Sequence, residues 1–323
     1  MMDELGEEPS DELGGSDRSR VHRVRTGDTT VIVKRFLAGG QGFAREAAAL
    51  SVMPEDAPTP RLLDETADPP TVVMSDAGPG RSVADDLLGD DPAAARKSLL
   101  GWAEAVARLH NSTAGSGDAF RAALAARSDE PVATSGLERA IELLDGHCDE
   151  VGAPRGDWGE VRRMNVRLGE GSSVLSPGDL CPDNNVTTPY GLVLIDFERA
   201  QWQHPAWDLA YLAVPWPNCW CSWRLPDDVA EQALDRYRRT ADRPGATADV
   251  EAASTLWAVR TAARFLPEAF DDFPQSAELR RLMPGRRAQV MHRLRRLPML
   301  DGLRSVLAGR WGETPLPYAP AFA

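Results

Sequence analysis

Lysine is almost missing from this chain: Lys34 and Lys97 stand alone, and every other one of the 36 basic residues is arginine. A lysine kept inside an apolar strand, as Lys34 is in Val31-Ile32-Val33-Lys34, therefore needs a reason. Cysteine is scarce too. Cys148, Cys181, Cys219 and Cys221 contain no C-x-x-C pair, and the C-x-C at 219 and 221 could bind a metal only with ligands from elsewhere. All four are read as free, partly buried thiols in a reducing compartment. Long apolar runs are absent, since none approaches the roughly 18–20 residues of a membrane span. The first dozen residues, MMDELGEEPSDE, are acidic and polar, the opposite of a signal peptide. The expectation is a cytoplasmic protein without a membrane partner, with residues 1–12 as a disordered acidic tail. An excess of positive charge is lacking as well. A net charge of −13 argues against nucleic acid as a partner and would steer in cationic ligands, if it is more than a solubility feature. No G-x-x-x-x-G-K-[ST] occurs, which excludes a P-loop nucleotidase.

What is present is enough for two lobes: 323 residues, 42% of them hydrophobic. Val21 to Val24 and Val31 to Val33 flank the polar turn Arg25-Thr26-Gly27-Asp28 and predict a hairpin. Phe43 to Met53 is rich in Ala, Glu and Leu and predicts a helix. Thr59 to Leu63 and Thr71 to Met74 are further strand candidates, and Asp76-Ala77-Gly78-Pro79-Gly80 reads as a linker. Beyond it, Asp90-Asp91-Pro92 starts a helix whose Leu99, Trp102, Val106 and Leu109 share one face. Residues 114 to 135 fit no pattern. Helices are expected at 137–148, 158–168, 227–239, 247–265 and 276–296. The fold class is α+β: a small β-rich N-terminal lobe at 13–78, and a larger helical C-terminal lobe at 79–323. A ligand cleft between them is expected.

The chemistry concentrates in Ser176 to Ala210. Gly191-Leu192-Val193-Leu194-Ile195 is a short buried strand from which Asp196-Phe197-Glu198 emerges. Upstream, Asp179 is followed five residues later by Asn184, and Thr187 to Gly191 makes a turn. Loop, strand, turn, strand and acidic loop would bring Asp179, Asn184 and Asp196 to one edge of a hairpin. Phosphoryl transfer needs such a set: a carboxylate to orient a hydroxyl, and hard oxygens to hold Mg²⁺.

These residues resemble the aminoglycoside phosphotransferase and choline kinase family, relatives of the protein kinases. The match runs through Gly178-Asp179, Asn184, Ile195-Asp196-Phe197-Glu198 and Trp207-Asp208-Leu209-Ala210, in order. The resemblance implies a bilobal protein-kinase-like fold and transfer of the γ-phosphoryl group of ATP, or GTP, to a hydroxyl of a small molecule, an antibiotic such as an aminoglycoside or a small metabolite. It implies Asp179 as catalytic base, Asn184 and Asp196 as Mg²⁺ ligands, and Asp208 as a brace for the loop. Lys34 would grip the nucleotide phosphates, paired with Glu46. Ser75 and Asp76 would lie in the hinge beside the base. Gly14, Gly15 and Ser16 would either cradle phosphate or end the tail. Ala107-Arg108-Leu109-His110 also resembles a family pattern, and His110 is read as core. Two departures stand out. Pro177 replaces the His that usually buttresses the loop, and Cys181 replaces a second frequent His. Pro177, together with the poor glycine loop at Gly14, Gly15 and Ser16, leaves open a nucleotide-binding regulatory protein as the alternative to an enzyme. Trp202, Trp207, Trp216, Trp220 and Trp223 would either wall a site for a cationic amine or pack the core, and packing is preferred.

Overall fold

Two valine-bearing runs, around Val21–Val24 and Val31–Val33, flank a Gly-Asp turn and form the first hairpin of the computed structural model. The model describes residues 11–15, 18–37, 41–128, 136–243, 245–271, 283–313 and 315–323. Strands β2 (Ser19–Thr26) and β3 (Thr29–Phe36) pair in register from Ser19↔Phe36 to Thr26↔Thr29. The turn between them is Gly27-Asp28, where Gly27 takes φ +61°, a left-handed conformation in which glycine meets no Cβ penalty. Strands β1 (Asp11–Gly15), β4 (Leu62–Ala67) and β5 (Pro70–Ser75) complete an antiparallel sheet in the order β1-β2-β3-β5-β4. Several boundaries differ from expectation, two of them by more than an end residue or two. The first strand begins at Asp11, inside the stretch read as tail. The strand expected at 59–63 starts only at Leu62.

Side chains on a strand alternate between faces. One face of the sheet buries Val24, Val31 and Val73. The other carries Phe36, Val72 and Met74 into the main core, against α1 (Gln41–Ser51). The alanines of that helix (Ala44, Ala47, Ala48) are fully or almost fully buried and allow a close approach to the sheet. Lys34 belongs to this second, helix-facing side.

After the linker, α2 (Val83–Leu87) is capped by Ser82 in a reciprocal box with Asp85. Helix α3 (Pro92–Ser112) begins where expected: the Asp91 side chain accepts from the N–H groups of Ala93 and Ala94, and Pro92 sits in the first turn. Its Leu99, Trp102, Val106 and Leu109 are wholly buried. Each such side chain contributes roughly 1.5–3 kcal/mol relative to exposure. The unpatterned region holds α4 (Gly117–Ala125), which packs on α1; Arg127, just beyond it, pairs with Glu65 of β4 at 2.9 Å, joining the lobes.

Helices α5 (Leu137–Val151) and α6 (Gly159–Glu170) lead to a β region. There β6 (Val174–Ser176) pairs with β9 (Gln201–Gln203), and β7 (Asn185–Thr188) with β8 (Gly191–Leu194). Helices α7 (Ala206–Ala213), α8 (Asp227–Thr240) and α9 (Val250–Phe270) follow. The last of these is the axis of the lobe, buried along most of its length. Of the helix expected at 276–296, residues 286–294 form α10 (Arg286–Leu294), and its first part lies outside the described residues. Helix α11 (Asp301–Trp311) closes the lobe. Among the described residues no helix is long and apolar enough to cross a membrane.

Candidate active site

The two lobes enclose a cavity of about 710 Å³. From the sheet, Lys34 brings an ammonium that is 5% exposed as a residue and surrounded by carboxylates. Its Nζ donates to Glu46 Oε2 at 2.6 Å and to Asp196 Oδ1 at 2.7 Å, with Glu198 Oε2 at 3.4 Å. Burial disfavours the ammonium, but Glu46, Asp196 and Glu198 outweigh it and hold Lys34 above its ordinary pKa. Burial likewise pushes the Glu46 carboxyl up, against the pull of Lys34. An apolar strand tolerates Lys34 because these partners are there.

Asp196 leaves β8 with φ +64°, a left-handed conformation uncommon for a residue with a side chain. Such backbone tends to persist where the surroundings over-determine it. Here Lys34 holds the carboxylate from the sheet side, and Ile195 N–H donates to Asn184 O at 3.1 Å from the hairpin side.

Asp179 stands opposite, its side chain 17% exposed, with Arg199 Nε 3.6 Å from Oδ2. Burial, the largest influence, pushes its carboxyl up to about 6, against Arg199. Asn184 donates Nδ2–H to the Asp179 carbonyl at 2.8 Å, which closes the catalytic-type loop. Asn185 fastens that loop to α2: its Oδ1 accepts from Val83 N–H and its Nδ2 donates to Pro182 O. Asp179, Asn184 and Asp196 thus line one cavity with Lys34 and Glu46. Asn184 and Asp196 offer hard oxygen donors, and Asp196 keeps 31% of its side chain exposed, so the donor chemistry fits Mg²⁺.

With Pro177 in place of histidine, the loop is braced from below. The Ser176 hydroxyl donates to Asp208 Oδ1 at 2.6 Å and accepts from Gly178 N–H at 2.9 Å. Gln203 Nε2 donates to both Ser176 Oγ and Asp208 Oδ1. His110 Nε2 lies 3.0 Å from Asp208 Oδ2, and its Nδ1 lies 2.8 Å from the Tyr237 hydroxyl. A carboxylate only accepts, so Nε2 carries the proton and Nδ1 accepts from Tyr237. His110 is buried, as its core reading has it, but it works through hydrogen bonds. Gly178 takes φ +75°, and a Cβ there would run into the Arg199 carbonyl.

The other expected site residues are placed as follows. Ser75 and Asp76 line the cavity, but their polar groups are committed elsewhere. Ser75 Oγ accepts from Arg61 N–H, and the Asp76 carboxylate binds Arg23 at 2.6 Å, the Thr30 hydroxyl at 2.7 Å and Gly78 N–H at 2.8 Å. Gly14 and Gly15 belong to β1, paired with Val21 and Arg20, and are not tail; Ser16 lies outside the described residues. Of the five tryptophans, Trp207, Trp216 and Trp223 are buried and Trp202 partly so. Trp220 lines the cavity and donates to Asp183 Oδ2 at 2.7 Å. The reading of four free thiols is corrected. Cys181 and Cys219 form a disulfide, while Cys148 and Cys221 are free and buried. The fold brings the bridged pair to a Cα separation of 5.7 Å across 38 residues, which no local spacing encodes. Ser176 and Gln203 were equally invisible, and His110 was read as core alone, because their meeting point at Asp208 is tertiary.

The model of the phosphotransferase enzyme family matches residues 12–248. Among solved structures, choline kinase from Cryptosporidium parvum is 12% identical, with a TM-score of 0.54 over 94% of this chain and 95% of that one. Ethanolamine kinase from Plasmodium vivax is 13% identical, with a TM-score of 0.53 over 89% and 81%. Aminoglycoside phosphotransferase APH(4)-Ia is 13% identical, with a TM-score of 0.51 over 93% and 94%. At such identities these likenesses speak for the fold. No curated protein sequence matches. The sequence match spans both lobes and the whole Asp179–Asp208 segment, and on it this chain belongs to the phosphotransferase enzyme family, in a kinase-like fold.

Proposed function

We propose that the protein is a small-molecule kinase that transfers the γ-phosphoryl group of ATP to a hydroxyl of its acceptor. The observation that carries this reading is the convergence of Asp179, Asn184, Asp196 and the Lys34–Glu46 pair on one interlobe cavity. Asp179 accepts the hydroxyl proton as the oxygen forms its bond to the γ-phosphorus and the bond to the β-phosphate oxygen breaks, releasing ADP. Lys34, oriented by Glu46, binds the nucleotide phosphates. Asn184 and Asp196 are the residues that would hold Mg²⁺, which when bound supplies charge neutralisation at those phosphates. Met74, Ile32 and Val21 from the sheet form the apolar wall for the base.

A nucleotide-binding protein without turnover is the rival that Pro177 raises. The brace through Ser176, Gln203 and Asp208 supports catalysis instead, because it supplies loop rigidity without the missing histidine. The test is ADP formation by purified protein with ATP and Mg²⁺, across a panel of hydroxyl compounds. Acceptor-dependent ADP release is expected. Tight nucleotide binding with no acceptor-dependent release across a broad panel would favour the regulatory rival, and absence of nucleotide binding would remove the kinase reading.

A further inference from the structure

The helical lobe sets three arginines in the cavity wall, in a chain whose net charge is −13. Arg199, Arg264 and Arg286 line it beside Trp220. Arg286 and Arg264 flank one buried ring: their guanidinium carbons stand 4.1 Å and 5.4 Å from the centroid of Phe265. Stacking on an aromatic ring orients a guanidinium while leaving its N–H edge available. Arg286 is fixed further by Glu268 at 2.6 Å and Gln289 at 2.9 Å. Arg264 is exposed and pairs with no carboxylate among the described residues. Four carboxylates share that wall: Asp196 and Glu198 pair with Lys34 at 2.7 Å and 3.4 Å, Asp183 accepts from the Trp220 indole, and Asp179 has Arg199 3.6 Å away.

We infer that the acceptor carries an oxyanion, a carboxylate or a phosphate, which Arg264 and Arg286 bind while Asp179 takes its hydroxyl. The inference rests on the kinase reading and names its substrate class. Arginine suits the task because its planar fork meets two oxygens of a carboxylate or phosphate at once. The long-range field of an acidic protein favours cations, but at contact distance the local wall decides.

The test uses one carbon skeleton in four charge states: glucose, glucosamine, gluconate and glucose 6-phosphate. Their binding is measured calorimetrically with the nucleotide site filled by a non-hydrolysable ATP analogue and Mg²⁺, so that the γ-phosphate position is not open to the probes. Gluconate or glucose 6-phosphate is expected to bind at least about tenfold tighter than glucose or glucosamine, in keeping with one charged hydrogen bond. Whichever of the two binds better tells carboxylate from phosphate. Arg264→Ala should abolish that preference, and Arg264→Glu should reverse it in favour of glucosamine. Arg264 is on the surface, so both variants should fold, and unchanged affinity for the ATP analogue reports that they have. Equal binding of all four probes, a preference for glucosamine in the wild type, or an anion preference indifferent to Arg264 would each overturn the inference. Failure of the analogue itself to bind would instead count against the kinase reading, while an Arg264-dependent gluconate affinity would still uphold the arginine site.

Discussion

Three donors converge on the Asp208 carboxylate: the Ser176 hydroxyl, the Gln203 amide and the His110 imidazole. Asp208 and His110 are almost wholly buried, so each missing partner leaves a polar group without water to replace it. His110→Phe should therefore cost about 1–3 kcal/mol in urea denaturation. The same variant should lower kcat while leaving nucleotide affinity unchanged, because the brace acts on the Asp179 loop and not on the nucleotide. His110→Gln keeps a donor and should recover part of kcat; equal losses in both variants would reduce His110 to a packing residue. At Gly178 the demand is steric. Gly178→Ala meets both a left-handed φ and the Arg199 carbonyl, so it should lose roughly 1–3 kcal/mol of stability and most activity. A fully active, fully stable Gly178→Ala protein would show that the loop has slack.

The elements that hold the site differ in how much of themselves they wrote into local sequence. The β2–β3 hairpin was legible because alternation and a Gly-Asp turn are local signals, and α3 because Asp91-Pro92 caps an apolar stripe. The β7–β8 hairpin was legible for the same reason, with Asp196 at its end. By contrast, β6 and β9 are three residues each and exist only through pairing with one another, so neither carries a period long enough to read. Helix α4 hides among Gly, Ser and Ala: Gly117 is there because Trp202 packs where a Cβ would sit. The Cys181–Cys219 bridge and the Asp208 brace join elements far apart in sequence, which explains why the cysteines were misread and His110 was credited with packing alone. The bridge ties the loop carrying Asp179 to the segment after α7. Cys219→Ser should leave both lobes folded but lower the urea midpoint, by an amount equivalent to about 2–4 kcal/mol. An unchanged midpoint under non-reducing conditions would show that the bridge does not constrain the chain.

Across the whole molecule, the sheet and the segment leading out of it are fastened together at one carboxylate. Asp76 is the fastening point, since its carboxylate binds Arg23 of β2, Thr30 of β3 and the hinge amide of Gly78. Burial works against its ionisation, but the hydrogen bonds from Arg23, Thr30 and Gly78 outweigh it and hold Asp76 below its ordinary pKa. A depressed carboxyl stabilises the folded state fully above its unfolded pKa, about 3.9, and loses that contribution as pH falls through the lower folded value. Asp76→Asn should thus lower stability at neutral pH by about 1–3 kcal/mol, and the gap from wild type should close in acid below about pH 4. A gap independent of pH would mean that shape, and not charge, fastens the hinge.

In the proposed mechanism one carboxylate, Asp179, accepts the hydroxyl proton in a cleft whose other parts bind nucleotide. The most direct measurement follows the γ-phosphate label of ATP into an acceptor ester, with nucleotide affinity measured on the same samples, for wild type and Asp179→Asn. Nucleotide affinity is expected within a few-fold of wild type and label transfer reduced by about 10²–10⁴-fold, the usual worth of a positioned general base. Transfer that survives the substitution at near wild-type rate would contradict that mechanism.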